Sequence, residues 1–287
     1  MSTAMKLEKP GSVLRGVVDQ GGFSYACLFA LRWLVYRALR PVDRTPALAQ
    51  RRPFRAIRRR IGLLEARMVG IERERNLVAP WAVANLRFTA RDNRTWWNTH
   101  DWSRLGEEWT PSEEWKKAVV SRYLAPYMPE GVPLLEIGPG GGRWTEVLQA
   151  RASMLYVVDV AEAALSACQR RFARCTNINY NLGTGNTIPL PDESVCGVWS
   201  YDVFVHVNPA DTLSYFREFC RVLNRGSYAV IHHPGAVGAA ERAQAHRSDL
   251  TDGMVRRAAR ETGLEVVLQS SELVNVGDTL TVLRRPA

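Results

Sequence analysis

The 287-residue chain has few of the features that would place it outside the ordinary globular classes. Phe23–Leu39, rich in Leu, Phe, Trp, Tyr and Ala and free of Gly and Pro, falls short of the roughly 20 apolar residues that span a bilayer, and Arg32 and Arg37 interrupt it. The five cysteines are scattered, odd in number and without a CxxC pair, which argues against a disulfide framework or a zinc cage and fits a reducing compartment. Met1–Gly22 mixes charge with glycine and does not read as a signal peptide, so a cytoplasmic protein is expected. There is no internal repeat and no low-complexity tract. A hydrophobic share of 46% is ordinary and gives no sign of global disorder.

What is present is divided unevenly. Residues 1–80 hold sixteen Lys/Arg against six Asp/Glu, a net of +10, while the rest of the chain holds twenty-two against twenty-three, a net of −1. All the excess positive charge of a +9 protein therefore lies in its first 80 residues, which suggests a neutral domain behind a local docking surface. Two helical patterns fall in this extension, Phe23–Leu39 and Phe54–Glu74, the second with Ile57, Ile61, Leu64 and Met68 at three- and four-residue spacing. Two readings stand side by side: a solvated face of a packed helical arm, or peripheral docking on an anionic membrane, on the inner face in the cytoplasmic case. No nucleic-acid motif accompanies the charge, so the lipid surface ranks ahead of nucleic acid.

Six of the nine tryptophans (Trp81, Trp96, Trp97, Trp102, Trp109 and Trp115) are packed into residues 81–115, interleaved with polar residues. Thr110 and Pro111, followed by Glu113 and Glu114, read as an N-cap, a proline at the first helical position and an acidic first turn, for a helix over Ser112–Pro126. From there strands and helices alternate. The pattern predicts strands at Pro133–Ile137, Met154–Asp159, Ile178–Tyr180, Ser194–Ser200, Ser227–His232, Leu264–Gln269 and Leu280–Arg284. Helices are expected between them at Arg143–Arg151, Ala161–Arg174, Pro209–Leu223 and Asp252–Thr262. This is the signature of an α/β fold: a Rossmann-like, mostly parallel seven-stranded sheet with helices on both faces. The last two strands have no helix between them and imply an antiparallel edge hairpin. The expected division is a basic helical extension (1–80) and a catalytic domain (81–287, core about 115–287).

The first strand runs into Glu136-Ile-Gly138-Pro-Gly140-Gly-Gly142-Arg-Trp144. Glycines at a strand-to-helix turn let the backbone approach a ligand, and the free N–H groups of the next helix favour an anionic group. The dinucleotide fingerprint G-x-G-x-x-G has Arg143 where its third glycine belongs, and no P-loop lysine follows, so dehydrogenase and NTPase readings both weaken. Asp159 ends the second strand, 21 residues after Gly138, where a carboxylate can take both ribose hydroxyls of a nucleoside.

Here the chain resembles the class I S-adenosylmethionine-dependent methyltransferases, whose first motif has the form E-x-G-x-G-x-G: Glu136, Gly138, Gly140, Gly142 and Asp159 match position for position. Ile188–Ser194 and Arg221–Gly226 resemble the family's segments before the fourth and fifth strands, so the likeness covers about residues 130–233. The Trp-rich segment and His246–Leu264 are more distantly similar to bacterial enzymes acting on sugars and secondary metabolites. The chain departs from the family twice, with Thr184-Gly185 where Asp-Gly is frequent and Cys196 where an Asp is usual. The resemblance implies S-adenosylmethionine as cofactor, held by Glu136, Gly138, Gly140, Gly142, Asp159, Thr184, Gly185 and Tyr201, with Trp109 as a lid over its methionine half.

Ligands of open α/β sheets lie beyond the carboxyl ends of the strands, where Asp202, His206, His232 and His233 are expected. Methyl transfer to a neutral hydroxyl benefits from a base. His206 is the candidate base, Asp202 orients it or faces the cofactor's amine, and one of His232 and His233 reaches the pocket while the other packs under a helix. His233 and Arg247 are candidate acceptor contacts. The histidine spacing carries no metal-ligand signature, and no metal is expected. The expected reaction is methylation of a sugar hydroxyl in a glycan or natural product; N- or C-methylation of a small metabolite, or a catalytically silent cofactor-binding subunit, are the alternatives.

Overall fold

A computed structural model describes residues 89–235, 247, 248 and 250–287, together with residues 23, 26–28, 30, 31 and 34. Most of the basic extension, including the helix expected at 54–74, lies outside the described residues, as do Trp81 and His246.

Seven strands form one sheet in the order β3-β2-β1-β4-β5-β7-β6. They are β1 (Pro133–Ile137), β2 (Met154–Asp159), β3 (Ile178–Leu182), β4 (Val195–Ser200), β5 (Leu223–Pro234), β6 (Glu265–Ser270) and β7 (Asp278–Arg284). β1–β5 are mutually parallel, and β7 runs antiparallel between β5 and β6. All seven expected strands are present, and the terminal hairpin is the antiparallel element. The chief difference is β5, expected over residues 227–232 but extending from Leu223, which pairs with Val195 of β4, to Pro234, which pairs with Asp278 of β7.

The helices of the described residues are α1 (Ala90–Thr99), α2 (Glu113–Val119), α3 (Thr145–Arg151), α4 (Glu162–Arg171), α5 (Pro209–Val222) and α6 (Asp252–Thr262). α2 starts later than the sequence suggests. Its cap is Ser112, whose hydroxyl accepts from the Trp115 N–H at 3.1 Å, so Thr110 and Pro111 precede the helix instead of opening it. α2 passes into a π turn over Val120–Leu124 before the chain enters β1.

The period-two alternation of the strands divides the core into two layers. Leu135, Ile137, Ala229 and Ile231 join Phe216 and Phe219 of α5 and Met254, Val255 and Ala258 of α6. Leu134, Val230 and Val282 join Tyr123, Leu124, Leu148, Trp144 and Trp199 on the opposite face. Each such large apolar side chain, taken fully out of water, contributes about 1.5–3 kcal/mol, enough in sum to set the strand register. Ala26 is buried in the first layer and Leu28 packs against it, so the extension touches the domain there, while Phe23, Leu31 and Leu34 face solvent.

Candidate active site

The sheet carries its ligand-facing residues to the carboxyl ends of β1, β2 and β4, where they line one cleft. Gly138, Pro139, Gly140, Gly141 and Arg143 come from the turn after β1, Asp159 and Val160 from the end of β2, and Tyr201, Asp202, Val203 and His206 from the loop after β4. The Trp-rich segment closes it from above: Ala90, Asn93 and Trp97 of α1, then Trp102, Gly106 and Trp109, all line the cleft. Glu107 fastens this cover, pairing with Lys116 of α2 at 3.2 Å and with Arg171 of α4 at 3.0 Å. Trp97 and Trp102 meet His100 edge-on and Trp109 stacks on it, and the His100 Nε2 lies 3.3 Å from Glu108 Oε1.

The glycines of the turn divide their work. Gly140 has φ +55°, and a Cβ there would meet the Trp102 ring at 2.7 Å, so only glycine lets the cover lie on the loop. Gly142 points the other way. Its missing Cβ makes room for Phe172 at 2.5 Å, so it serves the packing of α4 and does not line the cleft. Glu136 is also behind the loop, fully enclosed, and accepts from the Thr145 hydroxyl at 2.6 Å. Burial pushes its carboxyl up to about 8, against the opposing effects of Thr145 and Arg143.

That shift gives a stability prediction. An acid titrating near 8 in the fold but near its ordinary value when unfolded binds more protons folded, so stability falls as pH rises between about 4.5 and 8. Glu136→Gln keeps an acceptor for Thr145 and removes the titration. The variant is expected to show a flatter loss of melting temperature between pH 5 and 8 in the ligand-free protein. A wild-type slope unchanged by the substitution would assign the effect to other groups.

Asp159 accepts from Gly140 N at 3.3 Å and Ala161 N at 2.9 Å, tying the ends of β1 and β2 together beside the cleft. Burial raises its carboxyl to about 6, these backbone donors opposing the rise. Asp202 adopts a left-handed backbone, φ +60°, and takes Arg143 Nη2 on one carboxylate oxygen. His232 and Arg143 hold the Asp202 carboxyl below the usual range, outweighing its burial. Arg143 is 4% exposed, its guanidinium 5.3 Å from the Trp144 ring and 5.4 Å from Tyr201, and its Nη1 has no hydrogen-bond partner among the described residues. Sequence reasoning missed this arginine as a site residue; its one signal was its place directly after the glycine loop.

Other expected residues are placed as follows. His206 lines the cleft with its ring edge-on to Trp97 at 5.1 Å, and its carbonyl accepts from Asn93 Nδ2 at 2.8 Å. Tyr201 lines the cleft and donates its hydroxyl to Leu273 O at 3.1 Å. Trp109 is 40% exposed at the cleft wall. Gly185 lines the cleft, but Thr184 is turned to Asn186 and Thr187 at 3.1 and 2.5 Å and does not.

Neither adjacent histidine reaches the cleft, which corrects the expectation that one would. Alternation along β5 sends His232 to the Val230 face, under Tyr201, and His233 to the Ile231 face. Both are fully buried. His233 bonds Pro234 O at 2.8 Å and Thr281 Oγ1 at 2.6 Å, and burial lowers its imidazole to about 4. Arg247 likewise lies away from the cleft wall, paired with Asp278. Among the described residues no three His, Cys, Asp or Glu side chains form a metal-holding group.

The cleft fits the cofactor that the motif implies. A ribose needs an acceptor for two hydroxyls, which Asp159 offers, and an adenine needs an apolar slot, which Ala90, Val158 and Val160 offer beside Gly185. A zwitterionic amino-acid end needs a cation and an anion side by side; Arg143, with its unpartnered buried Nη1, and Asp202 are such a pair.

Comparison with known proteins agrees. A family model described as a methyltransferase domain matches residues 135–231. No curated protein matches the chain by sequence. Among solved structures, a chain from a Haloferax volcanii complex of the Trm112 methyltransferase activator with a methyltransferase is 19% identical, with a TM-score of 0.55 over 68% of this chain and 98% of that one. A S-adenosylmethionine-dependent methyltransferase from Aquifex aeolicus is 18% identical, with a TM-score of 0.51 over 64% of this chain and 98% of that one. Geranyl diphosphate C-methyltransferase from Streptomyces coelicolor, bound to S-adenosyl-L-homocysteine, is 14% identical, with a TM-score of 0.53 over 68% and 97%. At these identities the likeness is one of fold.

Proposed function

We propose that the chain, whose residues 135–231 match a methyltransferase-domain model, is an S-adenosylmethionine-dependent methyltransferase that methylates an oxygen, the hydroxyl of a sugar in a glycan or natural product. The carrying observation is that one cleft gathers the ribose acceptor Asp159, the Arg143–Asp202 pair and His206. When bound, S-adenosylmethionine supplies an electrophilic methyl group on a sulfonium. Asp159 takes the ribose hydroxyls, Arg143 the carboxylate and Asp202 the ammonium. The tryptophan cover keeps water from the reacting atoms and offers flat apolar walls suited to a sugar ring. His206 accepts the proton that the acceptor hydroxyl loses as it is aligned for in-line attack.

Incubation with methyl-labelled S-adenosylmethionine and saccharide-containing extract fractions tests this reading. Label recovered as a methyl ether supports it; label on nitrogen or carbon replaces the acceptor assignment and leaves the class intact.

The extension fits peripheral attachment of a cytoplasmic enzyme to an anionic leaflet. Its charge of +10 supplies the cations, and Phe23, Leu31 and Leu34 are exposed apolar residues on it. No helix among the described residues is long and apolar enough to cross a membrane. At about 1 kcal/mol per engaged Lys/Arg, a few contacts suffice for reversible binding. Full-length protein is expected to pellet with phosphatidylserine vesicles at low salt, to be released at high salt, and to stay in the supernatant once residues 1–80 are removed. Full-length protein left in the supernatant at low salt would exclude a lipid anchor.

A further inference from the structure

The Arg143–Asp202 pair is the visible end of a longer row. The second Asp202 oxygen lies 2.8 Å from His232 Nδ1, and on the far side of the ring His232 Nε2 lies 3.2 Å from Asp278 Oδ2. Asp278 Oδ1 in turn takes the Arg247 guanidinium. Cation, anion, imidazole, anion and cation thus follow one another. The strand pairing builds the row: Pro234↔Asp278 and His232↔Leu280 place the start of β7 beside the end of β5, and the loop after β4 brings Asp202 from the other side. The side chains of His232 and Asp278 are both 0% exposed. The Tyr201 ring covers the imidazole at 4.4 Å, within 26° of parallel.

The Asp202 N–H donates to Nδ1 at 3.2 Å, so Asp202 meets the ring through its backbone as well as its side chain. On the other side Nε2 and Asp278 Oδ2 stand 3.2 Å apart in a place closed to water, and neither has a hydrogen-bond partner among the described residues.

Asp202 has reason to need such support. A residue with a Cβ at φ +60° is uncommon, and such backbone persists where its surroundings over-determine it. Arg143 and His232 take one carboxylate oxygen each and so fix its direction at the cleft wall.

We propose that His232 and Asp278 are positioning residues for Asp202: Asp278 backs the His232 ring from behind, and the ring holds the Asp202 carboxylate toward the cofactor's ammonium. This rests on the reading of Arg143 and Asp202 as the holders of the cofactor's amino-acid end. The ionisable groups around the imidazole are Asp202 and Tyr201 from the loop after β4, Asp278 from β7 and His233 beside it on β5, with Arg143 and Arg247 one step beyond.

A binding titration of the full-length protein tests it. Calorimetry with S-adenosylhomocysteine is expected to show His232→Gln and Asp278→Asn each weakening binding about tenfold, the scale of coupling through an intermediary. Asp278→Glu should recover much of the loss. In an Asp202→Asn background neither substitution should weaken binding further, since their effect passes through Asp202. Normal affinity in the His232 and Asp278 variants while Asp202→Asn binds poorly overturns the proposal. If Asp202→Asn itself binds normally, the reading beneath the proposal falls first, and the proposal with it.

Discussion

Asp159→Ala is expected to weaken S-adenosylhomocysteine binding by about 10²–10⁴-fold in a calorimetric titration. Two hydrogen bonds from ribose hydroxyls to a charged acceptor disappear, at about 1.5–3 kcal/mol each, with about 1.4 kcal/mol to each factor of ten. The site adds a pH signature. Burial raises the Asp159 carboxyl to about 6 in the ligand-free protein, and accepting two hydroxyls favours the ionised form. Wild-type affinity should therefore hold above pH 6 and fall as the pH drops below it, and this dependence should vanish in the alanine variant. Asp159 also accepts from Gly140 N and Ala161 N, so the variant loosens the turn itself. Asp159→Asn, which keeps an oxygen for those donors, should bind between the two. Unchanged affinity in Asp159→Ala would remove this residue from the cofactor site.

His206→Ala is expected to leave cofactor affinity within a few-fold of wild type and to lower turnover by about 10²–10⁴-fold, the usual worth of a general base. The residue stands on the loop after β4, its backbone fixed by Val203 O on one side and Asn93 on the other, so removing the imidazole leaves the loop's own bonds in place. Its ring meets Trp97 edge-on, and a packing role predicts something different. Loss of that contact alone would lower thermal stability and loosen the cover, weakening cofactor binding along with turnover. A variant with unaltered affinity and near-normal turnover would sink the role as base.

The order of strands and helices from residue 130 onward was legible because the sheet is buried on both faces and its strands are short apolar runs between glycine-bearing turns. That the glycine turn and Asp159 would meet at one cleft was legible because glycine spacing and a strand-end carboxylate are local features. What escaped were consequences of register. That both His232 and His233 are buried away from the cleft depends on which face each strand position takes and on how far β5 extends, and β7 pairs with it through Pro234. Asp278, 46 residues away in sequence, carries no local mark of its place beside His232. Arg143 looked like a flaw in a different motif, because the sequence does not tell which way a side chain leaves a turn. The tryptophans were conspicuous, but their gathering around His100 and over Gly140 is a tertiary fact.

Hydrogen exchange with and without S-adenosylhomocysteine tests the central claim most directly, because it locates the ligand as well as detecting it. The account predicts slowed exchange, at saturating ligand, in peptides covering residues 137–143, 158–160 and 201–207, and in the tryptophan cover over residues 93–109, with β6 and the outer face of α6 unaffected. Binding with protection confined to other segments, or no protection anywhere at millimolar ligand, would contradict it.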